Sequence, residues 1–382
     1  MRISRDPAAR RRLAALGAAA IAATVAGAVA GSRAGDERLP PASKGPSQVA
    51  QVAAERLPLR KQVGLLLVSR FEGTRLPAYL RRRLRQGTTA GVILFRDNIA
   101  TPAGLRSLTR SVQRAAGRGA LVMVDQEGGI VRRIPFAAPG PPQSSFATRQ
   151  RARRSARRAA RDLLSLGVNV NLAPVADLGV GPVMEPRAYP GDPREVGRLV
   201  AAAVEAYRRA GLGSTAKHYP GLGAAAVNTD DGPVVISRSR ELLERDDLAP
   251  FRAAIRAGVP LIMASHAVYT AVDRGHLASQ SRRLLGEILR KRLGFEGVVV
   301  TDSIEAEAVL RRSSVAAAAE RSISAGADQV LMTGSASWKL VFPRLLERAR
   351  RSASFRARVR ESAARVIDLK RRLGLRVPEG AG

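Results

Sequence analysis

The chain has 382 residues and contains no cysteine, so disulfides, zinc–thiolate sites and thiol catalysis are all excluded. Its length fits either two small domains or one barrel of ordinary size. Hydrophobic residues make up 45% of the chain, and the formal net charge is +32. Because arginine is spread through almost every segment, as in the helically spaced run from Arg151 to Arg158, we interpret the charge as solvated helix faces and expect no specific nucleic-acid site.

The N-terminus has the pattern of an export signal. Five arginines precede an apolar stretch from Leu13 to Ala30, which ends in the small-residue sequence Ala28-Val29-Ala30. A charged segment, an apolar segment and a cleavage site of this kind are typical of a secretory signal. We predict that residues 1–30 are a signal peptide or an N-terminal membrane anchor and that residues 31–50 are a flexible linker. The protein is then expected to be secreted or held in the cell envelope, on the outer side of the cytoplasmic membrane.

Beyond the linker, short β-branched runs alternate with longer amphipathic segments. In chain order, the predicted strands are residues 63–69, 91–95, 121–124, 168–173, 214–216, 261–264, 298–301 and 329–332. The helices predicted between and after them are residues 76–86, 102–116, 150–165, 193–210, 240–257, 281–293, 306–325 and 337–372. Continuous apolar runs are typical of buried parallel strands. Eight strand–helix units, with no glycine-rich dinucleotide fingerprint after the first strand, predict a single-domain α/β fold, a (β/α)8 TIM barrel over residues 51–376.

Polar side chains stand where the predicted strands end. In such a barrel these ends meet at one mouth, where the loops that follow the strands form the active site. The side chains at these positions are Arg70, Asp125, Asp177, Lys217, His218, His266 and Asp302. Cationic groups beside several carboxylates suit a polyhydroxylated ligand, which charge-assisted hydrogen bonds can hold.

Several of these strand ends lie in motifs that resemble glycoside hydrolase family 3, especially its single-domain bacterial β-N-acetylhexosaminidases. The motifs are GVILFRDNI (Gly91 to Ile99), VDQEGG (Val124 to Gly129), KHYPGLG (Lys217 to Gly223), ASHAVY (Ala264 to Tyr269), GFEGVVVTDS (Gly294 to Ser303) and AGADQVLM (Ala325 to Met332). All of them occur in order, over essentially the whole chain beyond the linker. The resemblance implies a barrel enzyme that hydrolyses glycosides with retention of configuration.

The resemblance also implies roles for individual residues. Asp302 would be the nucleophile that attacks the anomeric carbon and forms a glycosyl-enzyme. Nearby Lys217 would lower the pKa of Asp302 and keep this carboxylate charged. The residues that would hold the sugar are Asp125, Arg133, Arg187, Lys217, His218 and His266. No feature of the sequence requires a metal or an organic cofactor, so we expect neither.

Three positions depart from the family pattern. Where the family's hexosaminidases have Asp-Ser-His, with the histidine as general acid/base, this chain has Asn-Thr-Asp-Asp at residues 228–231. Leu222 stands where the family often has His, and Ser303 stands where a second Asp is usual. We predict that Asp230 or Asp231 replaces the missing histidine as general acid/base. The alternative is that this segment is only a turn.

Three functions are compatible with these residues. The first is a secreted β-N-acetylhexosaminidase that acts on oligosaccharides of the cell wall, including peptidoglycan fragments, or of chitin. The second is a β-glycosidase for another sugar, or a phosphorylase that uses phosphate as the acceptor. The third is a sugar-binding protein of the envelope that has lost its acid/base and is not an enzyme. We expect a monomer, associated with a membrane at most through its N-terminus.

Overall fold

Residues 45–377 are described by a computed structural model, and all of them belong to one compact unit. The predicted signal peptide or anchor and most of the predicted linker lie outside these residues. Where the linker was predicted to end, the structure differs. A helix spans Gln48–Arg56, and Ser47 caps it by accepting a hydrogen bond from the N–H of Ala50 at 3.2 Å. The predicted linker over residues 31–50 therefore ends earlier than expected, because Ser47 caps a helix that begins at Gln48.

Eight parallel strands close into a barrel in which each strand pairs with its neighbours along the chain and the eighth pairs with the first. The strands are β1 (Leu67–Ser69), β2 (Gly91–Leu94), β3 (Leu121–Val124), β4 (Val170–Asn171), β5 (Gly213–Tyr219), β6 (Leu261–Ala264), β7 (Val298–Ser303) and β8 (Gln329–Met332). The predicted (β/α)8 barrel is therefore confirmed.

Side chains fill both faces of the barrel wall. Val92 and Leu94 of β2 belong to the same buried cluster as Leu105 of the following helix. Ile93, which lies between them in the sequence, belongs instead to the cluster that contains Met123 of β3. Successive side chains of a strand point to opposite faces, so one set packs against helices and the other fills the barrel interior.

Helices surround the strands. They span Gln48–Arg56, Leu59–Leu65, Ala78–Arg85, Pro102–Ala115, Arg149–Ser165, Pro193–Arg209, Arg240–Leu242, Leu248–Arg256, Arg283–Arg292, Glu307–Leu310, Val315–Ala325, Ser337–Arg351 and Ala353–Arg372. Short strands in the loops after β3, β5 and β6 form two small sheets, from Gln126–Gly128 with Val131–Arg132 and from Val235–Ile236, Val268–Tyr269 and Asp273–Leu277. Among residues 45–377, no helix combines the length and the apolar character needed to span a lipid bilayer.

Some predicted elements differ from the observed ones. Residues 63–65 belong to the helix Leu59–Leu65, and β1 begins only at Leu67. A short apolar run fits either state, and the segment is helical because it continues the turn that begins after Pro58. The helix predicted over residues 337–372 is broken at Ser352, whose hydroxyl caps the second half by accepting a hydrogen bond from the N–H of Phe355 at 3.2 Å.

A buried carboxylate fixes the start of β7. Asp328 is completely buried and accepts a hydrogen bond from the N–H of Val299 at 2.9 Å. The guanidinium groups of Arg290 and Arg358 donate to the same carboxylate at 2.5 and 2.8 Å. Breaking a buried ion pair of this kind is costly, so the network holds the strand that carries Asp302 in one position.

Candidate active site

Polar side chains from three strands meet at the carboxyl end of the barrel. The Nζ atom of Lys217, on β5, lies 2.6 Å from Oδ1 of Asp125, which directly follows β3. The next residue, His218, has its Nε2 atom 4.0 Å from Oδ2 of Asp302 on β7. The structure therefore brings four of the predicted strand-end residues, Asp125, Lys217, His218 and Asp302, together at one mouth.

A buried lysine joins two carboxylates in this mouth. The Nζ atom of Lys217 is 2.7 Å from Oε1 of Glu127 as well as 2.6 Å from Asp125, and its side chain is only 2% exposed. Burial alone would lower the pKa of Lys217, but the two carboxylates outweigh it and hold that pKa above its ordinary value. Lys217 is therefore a fixed positive charge.

Glu127 also belongs to this network, although it was not among the residues predicted from the sequence. It accepts hydrogen bonds from Nε and Nη2 of Arg187 at 3.0 and 2.8 Å, in a bidentate pair. Burial would raise the pKa of Glu127, but Lys217 and Arg187 outweigh it and lower the pKa to about 2. The signal was present, because Glu127 stands in the VDQEGG motif two residues after Asp125.

Asp177 holds His218 in one orientation. Its Oδ2 atom lies 2.6 Å from Nδ1 of His218, and the N–H groups of His218 and Leu222 also donate to this carboxylate. The other ring nitrogen, Nε2, then faces Nη2 of Arg187 at 3.5 Å and Asp302 at 4.0 Å. Asp177 was recognised as a strand end but given no role, and the structure makes it a positioning residue for His218.

The sequence predicted that Asp302 follows the end of its strand. In the structure, Asp302 lies within β7. Its Oδ1 atom accepts a hydrogen bond from the N–H of Ser303 at 2.8 Å. Burial would raise the pKa of Asp302, but His218, His266, that N–H group and Lys217 together hold it below its usual range. The predicted effect of Lys217 has the right direction, although His218 contributes more.

Two of the predicted binding residues lie beside this network. His266, just after β6, is completely buried, with Nδ1 2.8 Å from Oγ of Ser279, and burial holds the pKa of His266 below its usual range. The guanidinium carbon of Arg133 lies 5.4 Å from the centre of the Phe95 ring, and that of Arg70 lies 4.8 Å from it. Phe95 therefore holds Arg133 at the mouth by a cation–π contact.

The segment after β5 is a turn that also carries an acidic group with a raised pKa. The N–H groups of Asp231 and Gly232 donate to the carbonyl of Asn228 at 3.0 and 3.2 Å. Asp230 and Asp231 are both exposed to solvent in this turn. Neighbouring protein groups partly desolvate the Asp230 carboxyl, and this desolvation together with the negative charge of Asp302 raises the pKa of Asp230 to about 6.

Comparison with known proteins shows the family of this chain. The model of the glycosyl hydrolase family 3 N-terminal domain matches residues 58–369. The chain belongs to glycosyl hydrolase family 3. It is therefore a glycoside hydrolase, and the family resemblance of its motifs is confirmed.

Relatives agree with the family assignment. A β-hexosaminidase of Xanthomonas oryzae pv. oryzae is 36% identical over 278 residues, which are 70% of this chain and 83% of the relative. A secreted glycosyl hydrolase of Arthroderma benhamiae is 34% identical, over 75% of this chain and 86% of its own length. The solved β-N-acetylglucosaminidase of family 3 from Paenibacillus sp. is 31% identical, with a TM-score of 0.79 over 83% of this chain. This chain spans 63% of that longer protein.

Two departures from the family pattern leave this network complete. Leu222 interacts with Asp177 through its backbone N–H at 2.6 Å, which does not depend on the side chain. Ser303 likewise donates its N–H to Asp302, and its hydroxyl lies 2.5 Å from that of Thr333.

Within residues 45–377, no group of three or more His, Cys, Asp or Glu side chains is arranged to hold a metal ion.

Glu127→Gln should make the protein less stable at neutral pH and less sensitive to acid. The folded-state pKa of Glu127, about 2, lies below its ordinary value of 4.5. The carboxylate therefore stabilises the fold above the ordinary value and loses this contribution as the pH falls towards 2. The difference corresponds to about 3 kcal/mol. We expect urea unfolding at pH 7 to show a loss of about this size.

The matched control for this variant is Glu347→Gln. Glu347 forms an exposed pair with Arg351, so its replacement should change the free energy of unfolding by less than about 1 kcal/mol. If Glu127→Gln keeps the acid sensitivity of the parent between about pH 5 and pH 2, Glu127 is not the depressed carboxylate.

Proposed function

We propose that this protein is a retaining β-N-acetylhexosaminidase that acts on oligosaccharides of the cell wall or of chitin. One observation carries the proposal: two carboxyl groups at the same mouth have pKa values displaced in opposite directions. The pKa of Asp302 is lowered, and that of Asp230 is raised to about 6. Retaining glycoside hydrolysis requires a carboxylate that stays charged and a carboxyl group that can hold a proton near the working pH.

In this mechanism Asp302 is the nucleophile and Asp230 is the general acid/base. An oxygen of Asp302 attacks the anomeric carbon while Asp230 gives its proton to the leaving oxygen, so the glycosidic bond breaks as the glycosyl-aspartate forms. Asp230, now ionised, takes a proton from water. That water attacks the anomeric carbon, releases the sugar and restores Asp302.

The remaining residues are proposed to hold the sugar. Asp125 and Lys217 offer an acceptor and a donor, and Arg187 and His218 add donors on the same wall of the mouth. Arg133 is placed at the rim by Phe95, and His266 supports Asp302 from the buried side. The N-acetylhexosamine unit is proposed from the β-hexosaminidase and β-N-acetylglucosaminidase relatives described above.

Activity on a panel of aryl β-glycosides tests the proposed substrate class. We expect the N-acetylglucosaminide to be hydrolysed with a kcat/KM at least about tenfold above those of the glucoside, galactoside and xyloside, because the sites of hydrolases discriminate through transition-state binding. The initial product should keep the β configuration. Faster cleavage with added phosphate, with sugar phosphate as the product, would instead identify a phosphorylase.

Asp302→Asn should abolish turnover and leave sugar binding largely intact. Removing the nucleophile closes the covalent route, whereas the hydrogen bonds to the sugar hydroxyls remain. We expect kcat to fall by at least about a thousandfold while the Kd for the product sugar changes less than about threefold. A 2-fluoro glycoside should label Asp302 in the parent enzyme. Labelling of another carboxylate would contradict the assignment.

Asp230→Ala should slow the enzyme in a way that depends on the leaving group. A general acid contributes about a hundredfold or more when the leaving alkoxide is poor and little when it is activated. Azide should restore the breakdown of the glycosyl-enzyme, since it needs no general base. In the parent, kcat/KM should fall as the pH rises through about 6, where Asp230 loses its proton, and this alkaline limb should be absent in the variant.

Asp231→Ala is the matched control for Asp230→Ala, because it removes the adjacent carboxyl from the same turn. We expect it to keep the leaving-group dependence and the pH profile of the parent. If Asp231→Ala shows the azide rescue instead, Asp231 is the acid. If neither variant does, the segment is only a turn.

We also propose that the mature protein acts outside the cytoplasm, either secreted or held at the membrane by residues 1–30. The export pattern of those residues and the secreted Arthroderma relative support this location. Mass spectrometry of the native protein should find an N-terminus near Gly31, or a full-length chain in the membrane fraction. A full-length chain found free in the cytoplasm would contradict it.

A further inference from the structure

A second concave site lies at the opposite end of the barrel from the mouth. Ala90 and Gly119, which precede the starts of β2 and β3, line a cavity of about 790 Å³. Its walls come from the helices Leu59–Leu65, Ala78–Arg85 and Pro102–Ala115 and from the C-terminal segment of the chain. The residues of the proposed reaction all lie at the other end.

The charges around this basic groove have one sign. Among residues 45–377, no aspartate or glutamate lines it, and its six cationic residues are Lys61, Arg81, Arg85, Arg114, Lys370 and Arg376. In the part of the chain that the structure describes, none of the six forms an ion pair with a carboxylate. Arginines on other helices commonly do, as in the pairs Arg240–Glu244 and Arg311–Glu307. The groove is therefore a local excess of positive charge beyond the general basicity of the chain.

Lys370 places a charged group within the wall of the groove. Its side chain is 3% exposed, and Nζ donates a hydrogen bond to the carbonyl of Ala90 at 3.1 Å. That carbonyl already accepts the N–H of Leu121, so the barrel does not need the lysine to satisfy it. Burial lowers the pKa of Lys370 to about 7. A buried amino group without a counter-ion is costly, and a bound anion would supply the missing charge.

We propose that the basic groove binds an anion that carries several phosphate groups. Guanidinium groups match phosphate with two parallel hydrogen bonds, and the four arginines of the groove are exposed enough to offer them. The six cationic side chains around a cavity of this volume offer more positive charge than a single small anion would neutralise. A free polyphosphate and a phosphodiester polymer share the required chemistry.

Calorimetric titration of the full chain with tripolyphosphate, in buffer of about 0.15 M ionic strength, tests this proposal. We expect one site per chain, and binding of inorganic phosphate at least about tenfold weaker. Lys370→Met keeps the length and the apolar stem of the side chain and should weaken tripolyphosphate binding by about tenfold or more. Arg81→Gln/Arg114→Gln, which changes only exposed side chains, should do the same.

Arg157→Gln/Arg158→Gln is the matched control, because it removes the same charge from exposed positions of another helix. It should leave binding unchanged, and all variants should keep the parent's glycosidase activity. Equal losses in the control and groove variants would show that binding reflects the overall charge and would overturn the proposal. Citrate binding as tight as tripolyphosphate binding would overturn the choice of phosphate. A glycerol phosphate oligomer that binds more tightly than tripolyphosphate would identify the polymer as the source.

Discussion

The mouth of this barrel depends on the pairing of buried Lys217 with Asp125 and Glu127. Arg187 adds a second cation, which pairs with Glu127. The side chains of Lys217 and Glu127 have almost no contact with solvent. Removing any one of these groups would leave a buried charge with fewer partners than it needs, and breaking a buried pair costs on the order of 3–5 kcal/mol. The groups are consequently held in place before a sugar arrives. This preorganisation suits recognition of hydroxyl groups, since little reorganisation remains to be done on binding.

Replacing an imidazole with a carboxyl group as proton donor changes what the surroundings must provide. A histidine has an ordinary pKa near 6.5, whereas an aspartate must be moved upwards by about two units to hold a proton at a similar pH. Partial desolvation of the Asp230 carboxyl and the negative charge of Asp302 raise its pKa in that direction. In the mechanism we propose, the charge of Asp302 that supports attack on the sugar would also help to keep the proton on Asp230. The two proposed roles would then be electrostatically linked.

The sequence predicted the barrel and most residues of its mouth because both depend on local patterns. Apolar runs locate the strands, and polar residues such as Asp125 and Lys217 mark where the strands end. Glu127 was not predicted as a site residue because it lies beyond the end of its strand. Only the fold shows that Glu127 reaches Lys217. Asp302 was placed past its strand because a polar residue was taken as the boundary, whereas backbone pairing continues to Ser303. The break at Ser352 was missed because no proline or glycine marks it in the sequence.

The turn that carries Asp230 is joined by its backbone to the segment that follows Asp302. The N–H groups of Glu307 and Ala308 donate to the carbonyls of Asp230 and Thr229, so no side chain of the turn is needed for this attachment. The residue at the proposed acid/base position can therefore change without loosening the loop. In the genetic code, histidine and aspartate codons differ only in their first base. A lineage could thus exchange one proton donor for the other by a single point mutation and select afterwards for the surroundings that tune it.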